Sequence, residues 1–195
     1  NFADSCDSSA IECNCANTLM LKDNEIRAFN TDGLGFINDL TNKDISLSEK
    51  KILILGAGGS ARGIINSLVK NKIEKIHILT RTISKAEEII TQYKDFSEIN
   101  HYKDNNKYDL IINTTPISLN DSTINFPTDI FEPSSVSYDL FYSKAETKFQ
   151  AWSKENGASR IYDGLGMLIE QAALSFDIWN NFKPNTKGLA EKLGF

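Results

Sequence analysis

The chain has 195 residues, 41% hydrophobic and 24% charged, enough for one medium domain or a domain and a half with a real core. A net charge of −5 and a pI near 5.1 argue against a nucleic-acid or anionic-membrane partner. No apolar run is long enough for a membrane span, and no signal peptide is visible. The three cysteines, Cys6, Cys13 and Cys15, cluster at the start. No fourth Cys or nearby His completes a tetrahedral set, so no metal is expected. Reduced thiols in a cytoplasmic protein are the simpler reading.

In chain order, the pattern predicts a short helix over 4–12 and two strands, 17–21 and 25–29, joined at Lys22-Asp23-Asn24 by a hairpin turn. Asn30-Thr31-Asp32-Gly33 follows and leads into a helix marked by Leu34, Ile37 and Leu40, which Thr31 or Asp32 could cap. A polar connector, 42–49, ends at the stretch around which the chain is organised, residues 50–63: Lys-Lys-Ile-Leu-Ile-Leu-Gly-Ala-Gly-Gly-Ser-Ala-Arg-Gly. Residues 52–55 are apolar at every position, as in a strand buried on both faces of a parallel sheet. The strand, the glycines and the helical spacing of Ala61, Ile64, Ile65, Leu68 and Val69 together fit a dinucleotide fingerprint. Gly56 permits the tight turn, Gly58 lets the backbone approach a pyrophosphate, and Ala61 lets the helix pack closely. The helix N-terminus adds N–H groups and partial positive charge for phosphates.

Residues 75–79 read as the second strand of this unit, closed by Thr80-Arg81-Thr82. Where this fold usually carries an acid for the ribose 2′-hydroxyl, the chain has Arg81. A guanidinium suits a phosphate and a carboxylate would repel it, which favours NADP over NAD. The alternative is an exposed strand-end Arg. Ser84-Lys85-Ala86-Glu87 has capping-box spacing and predicts a helix start. Strands follow at 108–113, ending in Asn113-Thr114-Thr115-Pro116, and at 136–140, ending at Phe141 and Tyr142. A helix is predicted over 147–156, stopped by Gly157, then a strand at 160–162 before Asp163-Gly164-Leu165-Gly166. Helices over 167–179 and 185–193 close the chain. Strands alternating with helices imply an α/β fold with a doubly wound parallel sheet. In such sheets a ligand lies beyond the carboxyl ends of the strands, where the polar residues gather.

Ala16-Asn17-Thr18-Leu19, Asn30-Thr31-Asp32-Gly33, Gly56-Ala57-Gly58-Gly59-Ser60-Ala61-Arg62-Gly63, Tyr138-Asp139-Leu140-Phe141-Tyr142 and Asp163-Gly164-Leu165-Gly166-Met167-Leu168 resemble, in order and spacing, the motifs of the shikimate dehydrogenase family. Gln171-Ala172-Ala173, Phe176 and Trp179 extend the likeness along the late helix. The resemblance implies a Rossmann NADP-binding domain and NADPH-dependent reduction of 3-dehydroshikimate to shikimate in aromatic amino-acid biosynthesis. It implies a catalytic role for Asp32, which binds a substrate hydroxyl and orients a proton-donating Lys. Asn17, Tyr142 and Gln171 are implied as further substrate contacts. For the cofactor it implies Gly56, Ala57, Gly58, Gly59 and Ser60 at the pyrophosphate, Thr80, Arg81, Thr82 and Lys85 at the 2′-phosphate, and Leu140 and Gly164 beside the nicotinamide.

In the family the proton-donating Lys lies in a Pro-His-Lys segment before the position of Asn1; Lys22 and Lys43 lie outside the matching segment. The expected organisation is a remnant of a substrate domain at 1–31, the NADP domain at 32–163, and helices returning to the substrate domain at 164–195. A truncated, nearly inactive form is expected. Self-association through the hairpin 17–29 and the helix 167–179 is also expected, as a homodimer or larger assembly, because a strand without its neighbour offers unpaired backbone groups. Thr80 replaces a usual Asn, and Ser118-Leu119 replaces a usual Gly-Met. Two alternatives stand beside this reading: a quinate dehydrogenase using NAD, which Arg81 disfavours, and a non-catalytic dinucleotide-binding or regulatory module.

Overall fold

The structure, a computed structural model, describes residues 2–95, 98–119 and 124–195. In chain order its elements are β1 (Ser5–Cys6), α1 (Ser8–Cys13), β2 (Thr18–Lys22), β3 (Glu25–Phe29), α2 (Asp32–Asn42), β4 (Lys51–Leu55), α3 (Gly59–Val69), β5 (Lys75–Leu79), α4 (Ile83–Gln92), β6 (Glu98–His101), β7 (Tyr108–Asn113), a 3-10 turn at Pro116–Leu119, β8 (Phe131–Asp139), α5 (Lys148–Glu155), β9 (Arg160–Tyr162), α6 (Leu165–Asn180) and α7 (Leu189–Lys192). They form two units. The first holds the residues up to Ser46, Arg62–Lys70 and Gly166–Phe195; the second holds Leu47–Ala61 and Asn71–Leu165.

The second unit is a six-stranded sheet in the order β6-β5-β4-β7-β8-β9, and every pairing is parallel. Numbered within the sheet, this is the doubly wound order 3-2-1-4-5-6, with the ligand crevice expected where the order reverses, at β4. Its central position explains the unbroken apolar run: Ile52, Leu53, Ile54 and Leu55 are each fully buried, because both faces of an inner strand are covered. Leu53 and Leu55 belong to a core with Tyr108, Ile111, Ile130, Phe131 and Phe149, and Trp152 stacks on Phe149 at 5.5 Å between ring centroids.

The first unit is built on a three-stranded sheet, β1-β3-β2. The hairpin β2–β3 pairs Thr18 with Phe29 through to Lys22 with Glu25. Its two turn residues, Asp23 and Asn24, both have positive φ, 50° and 63°, the conformation that matches the twist of the strands. Helix α2 carries Gly33 and Gly35 for close approach rather than for flexibility. A Cβ at Gly33 would strike Ser67 and Gly63 of α3, and one at Gly35 would lie 2.7 Å from the Gln171 backbone nitrogen on α6.

Several local expectations are corrected. The segment 4–12 opens as a strand, and the helix waits until Ser8 because Asp7 caps it, accepting from the Ser9 N–H at 3.0 Å. Thr31 stands at the N-cap of α2 but makes no side-chain cap bond; its hydroxyl is engaged elsewhere, and Asn30 Oδ1 accepts the Asp32 N–H instead, at 3.0 Å. The capping box at 84–87 does not form, since α4 starts at Ile83 with Thr82 as its N-cap. Thr82 has already been turned by its N–H bond to Thr80 Oγ1, 3.2 Å. The reciprocal box is instead at Thr147 and Gln150 on α5. The last helix shrinks to Leu189–Lys192, held back by Gly188 in the left-handed region at φ 70°. Strand β6 gave no apolar signal, being a partly polar edge strand, Glu98–His101.

Candidate functional site

The first unit gathers a cluster of polar side chains around Asn17. Its Nδ2 donates to Asp32 Oδ1 at 2.7 Å, to Thr31 Oγ1 at 2.9 Å and to Gln171 Oε1 at 3.2 Å. Its Oδ1 accepts from the Thr31 N–H at 3.0 Å and from Thr18 Oγ1 at 2.9 Å. Behind these, the Ser175 hydroxyl joins Thr18 and Thr31 at 2.7 and 3.1 Å. The local fold explains the convergence. Asn17 precedes the first residue of β2, Asp32 opens α2 beyond the end of β3, and Gly35 lets α6 bring Gln171 against α2.

Burial raises the pKa of Asp32 above the ordinary carboxylate value, and the bond from Asn17 opposes this only partly. A half-buried carboxylate of this kind gains from any further donor, a hydroxyl or a cation, that replaces lost water. Exposed Asn17 and partly exposed Gln171 add amide donors and acceptors beside it. The cluster is suited to reading a small polyhydroxylated molecule. Of the four expected substrate residues, Asn17, Asp32 and Gln171 meet here. Tyr142 belongs to the second unit, following β8, with its ring 6.1 Å from that of Phe141. Thr18, Thr31 and Ser175 were not expected as members. Their signal was weak, because hydroxyls on a strand, a cap and a helix look the same in sequence.

In the second unit the turn after β4 is built by backbone. Gly56 has φ 109° and donates to Leu79 O at 2.8 Å, and a Cβ there would press on Thr114 Oγ1. Thr114 in turn donates through both its N–H and its hydroxyl to Leu55 O, at 2.9 and 2.8 Å. Ala57 and Ala61 are buried beneath the turn. Above Gly58 and Gly59 a Cβ would meet nothing within 4 Å, so the space over the start of α3 is open. Such an N-terminus, with open space above it, fits a pyrophosphate. At the end of β5, Thr80 is partly exposed and Arg81, Thr82 and Lys85 are exposed, two cations and two hydroxyls for an added phosphate. Leu140 and Gly164 meet directly: a Cβ on Gly164 would overlap the Leu140 carbonyl, and the Gly164 N–H donates to Phe141 O at 3.1 Å.

Asp139 is the main residue missed by sequence reasoning. It is fully buried at the end of β8. Its Oδ1 accepts from Asn113 Nδ2 at 2.8 Å and from the Phe141 N–H at 3.2 Å; its Oδ2 accepts from Ser118 and Thr147 hydroxyls, both at 2.7 Å. Four donors make a buried carboxylate tenable. They also tie together the end of β7, the Pro116–Leu119 turn, the loop after β8 and the cap of α5. Ser118, where the likeness leads one to expect glycine, supplies one of those ties. Among the described residues no group of three His, Cys, Asp or Glu is placed to hold a metal. No helix among them is long and apolar enough to cross a membrane.

Comparison with known proteins matches residues 39–120 to the profile of the shikimate / quinate 5-dehydrogenase family and residues 164–193 to the shikimate 5'-dehydrogenase C-terminal domain. The shikimate dehydrogenase (NADP(+)) of Legionella pneumophila strain Corby is 44% identical over 179 residues, covering 91% of this chain and 67% of the relative. That of Colwellia psychrerythraea is 38% identical over 195 residues, 98% of this chain and 71% of the relative. Among solved structures, the shikimate 5-dehydrogenase of Thermus thermophilus in complex with NADP(H) and shikimate superposes with a TM-score of 0.85 at 27% identity, over 97% of this chain and 71% of that one.

Proposed function

Since the chain belongs to the shikimate/quinate dehydrogenase family, we propose that it binds NADP(H) and takes part in the reduction of 3-dehydroshikimate to shikimate. The observation that carries this reading is the Asn17–Thr31–Asp32–Gln171 cluster, in which three residues matched to the family's substrate contacts share hydrogen bonds. In this reading Asn17 and Gln171 pair with ring hydroxyls, and Asp32 accepts from a hydroxyl and orients the group that delivers the proton to the substrate oxygen. Tyr142, matched by the same resemblance, belongs to the second unit. Residues Gly56, Ala57, Gly58, Gly59 and Ser60 hold the pyrophosphate at the start of α3. Thr80, Arg81, Thr82 and Lys85 hold the 2′-phosphate, with Arg81 excluding no charge where an acid would. Leu140 and Gly164 present backbone to the nicotinamide. The bound cofactor supplies the hydride. Everything else here is positioning, which in such reactions contributes a large part of the rate.

The domain assignment follows the same reading: nucleotide binding within 32–163, and substrate residues drawn from 1–31 and 164–195 together with Asp32 and Tyr142. A cytoplasmic setting accords with a cysteine complement of three. The exposed apolar side chains Leu19, Leu21, Phe176 and Trp179 support self-association of the first unit, to be read by sedimentation across a concentration series. The decisive experiment is calorimetric titration with NADP+, NAD+, shikimate and quinate. NADP+ binding tighter than NAD+, and shikimate binding weakened by Gln171→Ala, is the expected result. Binding of NADP+ without any binding of shikimate or quinate would favour a non-catalytic nucleotide module instead.

A further inference from the structure

We propose that Cys13 and Cys15 form an oxidation site, a dithiol that a small-molecule disulfide converts to an intramolecular disulfide, and that this change weakens substrate binding at the Asn17–Asp32 cluster. The second half rests on the substrate reading above; the first rests on the thiols alone.

Cys13 is the last residue of α1, and Asn14 at its C-cap lies in the left-handed region at φ 51°, ψ 37°. That reversal turns Cys15 back, so Cys15 Sγ donates to Cys13 Sγ across 3.3 Å. Cys13 is buried, at 1% exposure, and Cys15 is partly exposed. The pair therefore has an outer sulfur that a reagent can reach and an inner one in contact with it. The bond from Cys15 lowers the pKa of Cys13 to about 7, while the same bond and burial push Cys15 up. The inner sulfur is thus the better resolving thiolate near neutrality.

The chemistry balances. Cys15 passes its proton to the Cys13 thiolate hydrogen-bonded to it as its sulfur attacks one sulfur of the small-molecule disulfide, forming a mixed disulfide and expelling one thiolate, which takes that proton on from Cys13. Cys13 thiolate then attacks Cys15 Sγ, expels the second thiolate and closes the Cys13–Cys15 bond. Two protein thiols lose two electrons and two protons, and the reagent leaves as two thiols.

The consequence runs through Asn30. Its Nδ2 donates to Cys15 Sγ and to Cys15 O, both at 3.2 Å, and its Oδ1 accepts the Asp32 N–H at 3.0 Å. Closing the disulfide moves Cys15 Sγ toward Cys13, out of the position in which Asn30 Nδ2 now donates to it. The residue that fixes the first N–H of α2, and with it Asp32, then loses one of its anchors.

The test uses the chain with Cys6→Ser, to remove the exposed third thiol, exposed to oxidised glutathione. Peptide mass spectrometry after alkylation should show Cys13 and Cys15 joined, and released by dithiothreitol. Shikimate affinity should fall roughly five-fold, the weight of about one hydrogen bond, while NADP+ affinity holds. Adding Cys15→Ala or, separately, Cys13→Ser should abolish both the disulfide and the oxidant's effect on shikimate. Two thiols that still alkylate after the oxidant, or a disulfide with unchanged shikimate affinity, overturns the proposal. A reduced chain that binds no shikimate defeats the substrate reading and the proposed consequence, whereas the peptide map decides the dithiol by itself.

Discussion

The two units build their polar centres by different means. In the second, the key contacts are made by backbone at strand ends: Gly56, Ala57 and Gly58 turn the chain from β4 into the start of α3, and Gly164 packs on the Leu140 carbonyl. In the first, the centre is side chain against side chain, with Asn17 and Gln171 separated by 154 positions. A backbone-built site is specified locally and tolerates change in most side chains but not in its glycines. A side-chain-built site fails one group at a time. Asp139 is the exception that tests the contrast, a single side chain on which four donors of the second unit converge.

The largest expected effect therefore lies at Asp139. Asp139→Ala leaves four buried or part-buried donors without their acceptor, at about 1–3 kcal/mol for each that water cannot reach. A loss of about 3 kcal/mol or more is expected in urea unfolding, and Ser118→Gly, which removes one tie, should lose about 1 kcal/mol. Similar losses for the two variants would show that Asp139 is no hub.

Next comes Arg81, the side chain proposed for the 2′-phosphate. Arg81→Ala should weaken NADP+ binding by about 1.5–3 kcal/mol, as for a charge-assisted contact, and leave NAD+ nearly unchanged. Equal losses for both cofactors in a titration would remove Arg81 from the 2′-phosphate.

Asn17→Ala sharpens the other side of the comparison. It should weaken shikimate binding by about 1–2 kcal/mol, leaving Asp32, Thr31 and Gln171 without their shared donor, while NADP+ affinity stays within error. A matching loss of NADP+ affinity would mean that the two centres are not independently built.

The smallest effect concerns pH. His77 on β5 shares a hydrogen bond of 2.7 Å with buried Tyr108, and burial first, then Lys75 and Lys103, lowers its pKa below 6.5. The neutral ring is the folded form. Above 6.5 both folded and unfolded states hold it neutral, and stability is unaffected by it. As pH falls through 6.5 toward the lowered value, the unfolded state takes up the proton first and stability declines. His77→Gln should flatten that part of a urea midpoint-against-pH curve; an unchanged slope would assign the decline to other groups.

The sequence by itself determined the nucleotide half almost completely. An all-apolar run at 52–55, glycines at fixed offsets and small Ala61 encode strand, turn and helix within a dozen residues, because each depends on local backbone sterics and on burial of both strand faces. Arg81 could be placed for the same reason, two residues beyond the end of β5. The residues proposed for the substrate were legible only through the family motifs: taken singly, Asn17 reads as a hairpin residue and Thr31 as a helix cap. Tertiary structure brought α6 against α2 through Gly35, gave the Thr31 hydroxyl to Asn17 and left the cap bond to Asn30. It also decided what no spacing could announce, the four donors on Asp139 and the contact of Cys13 with Cys15. Hydrogen bonds between side chains are set by where elements pack, and packing is a property of the whole chain rather than of any window in it.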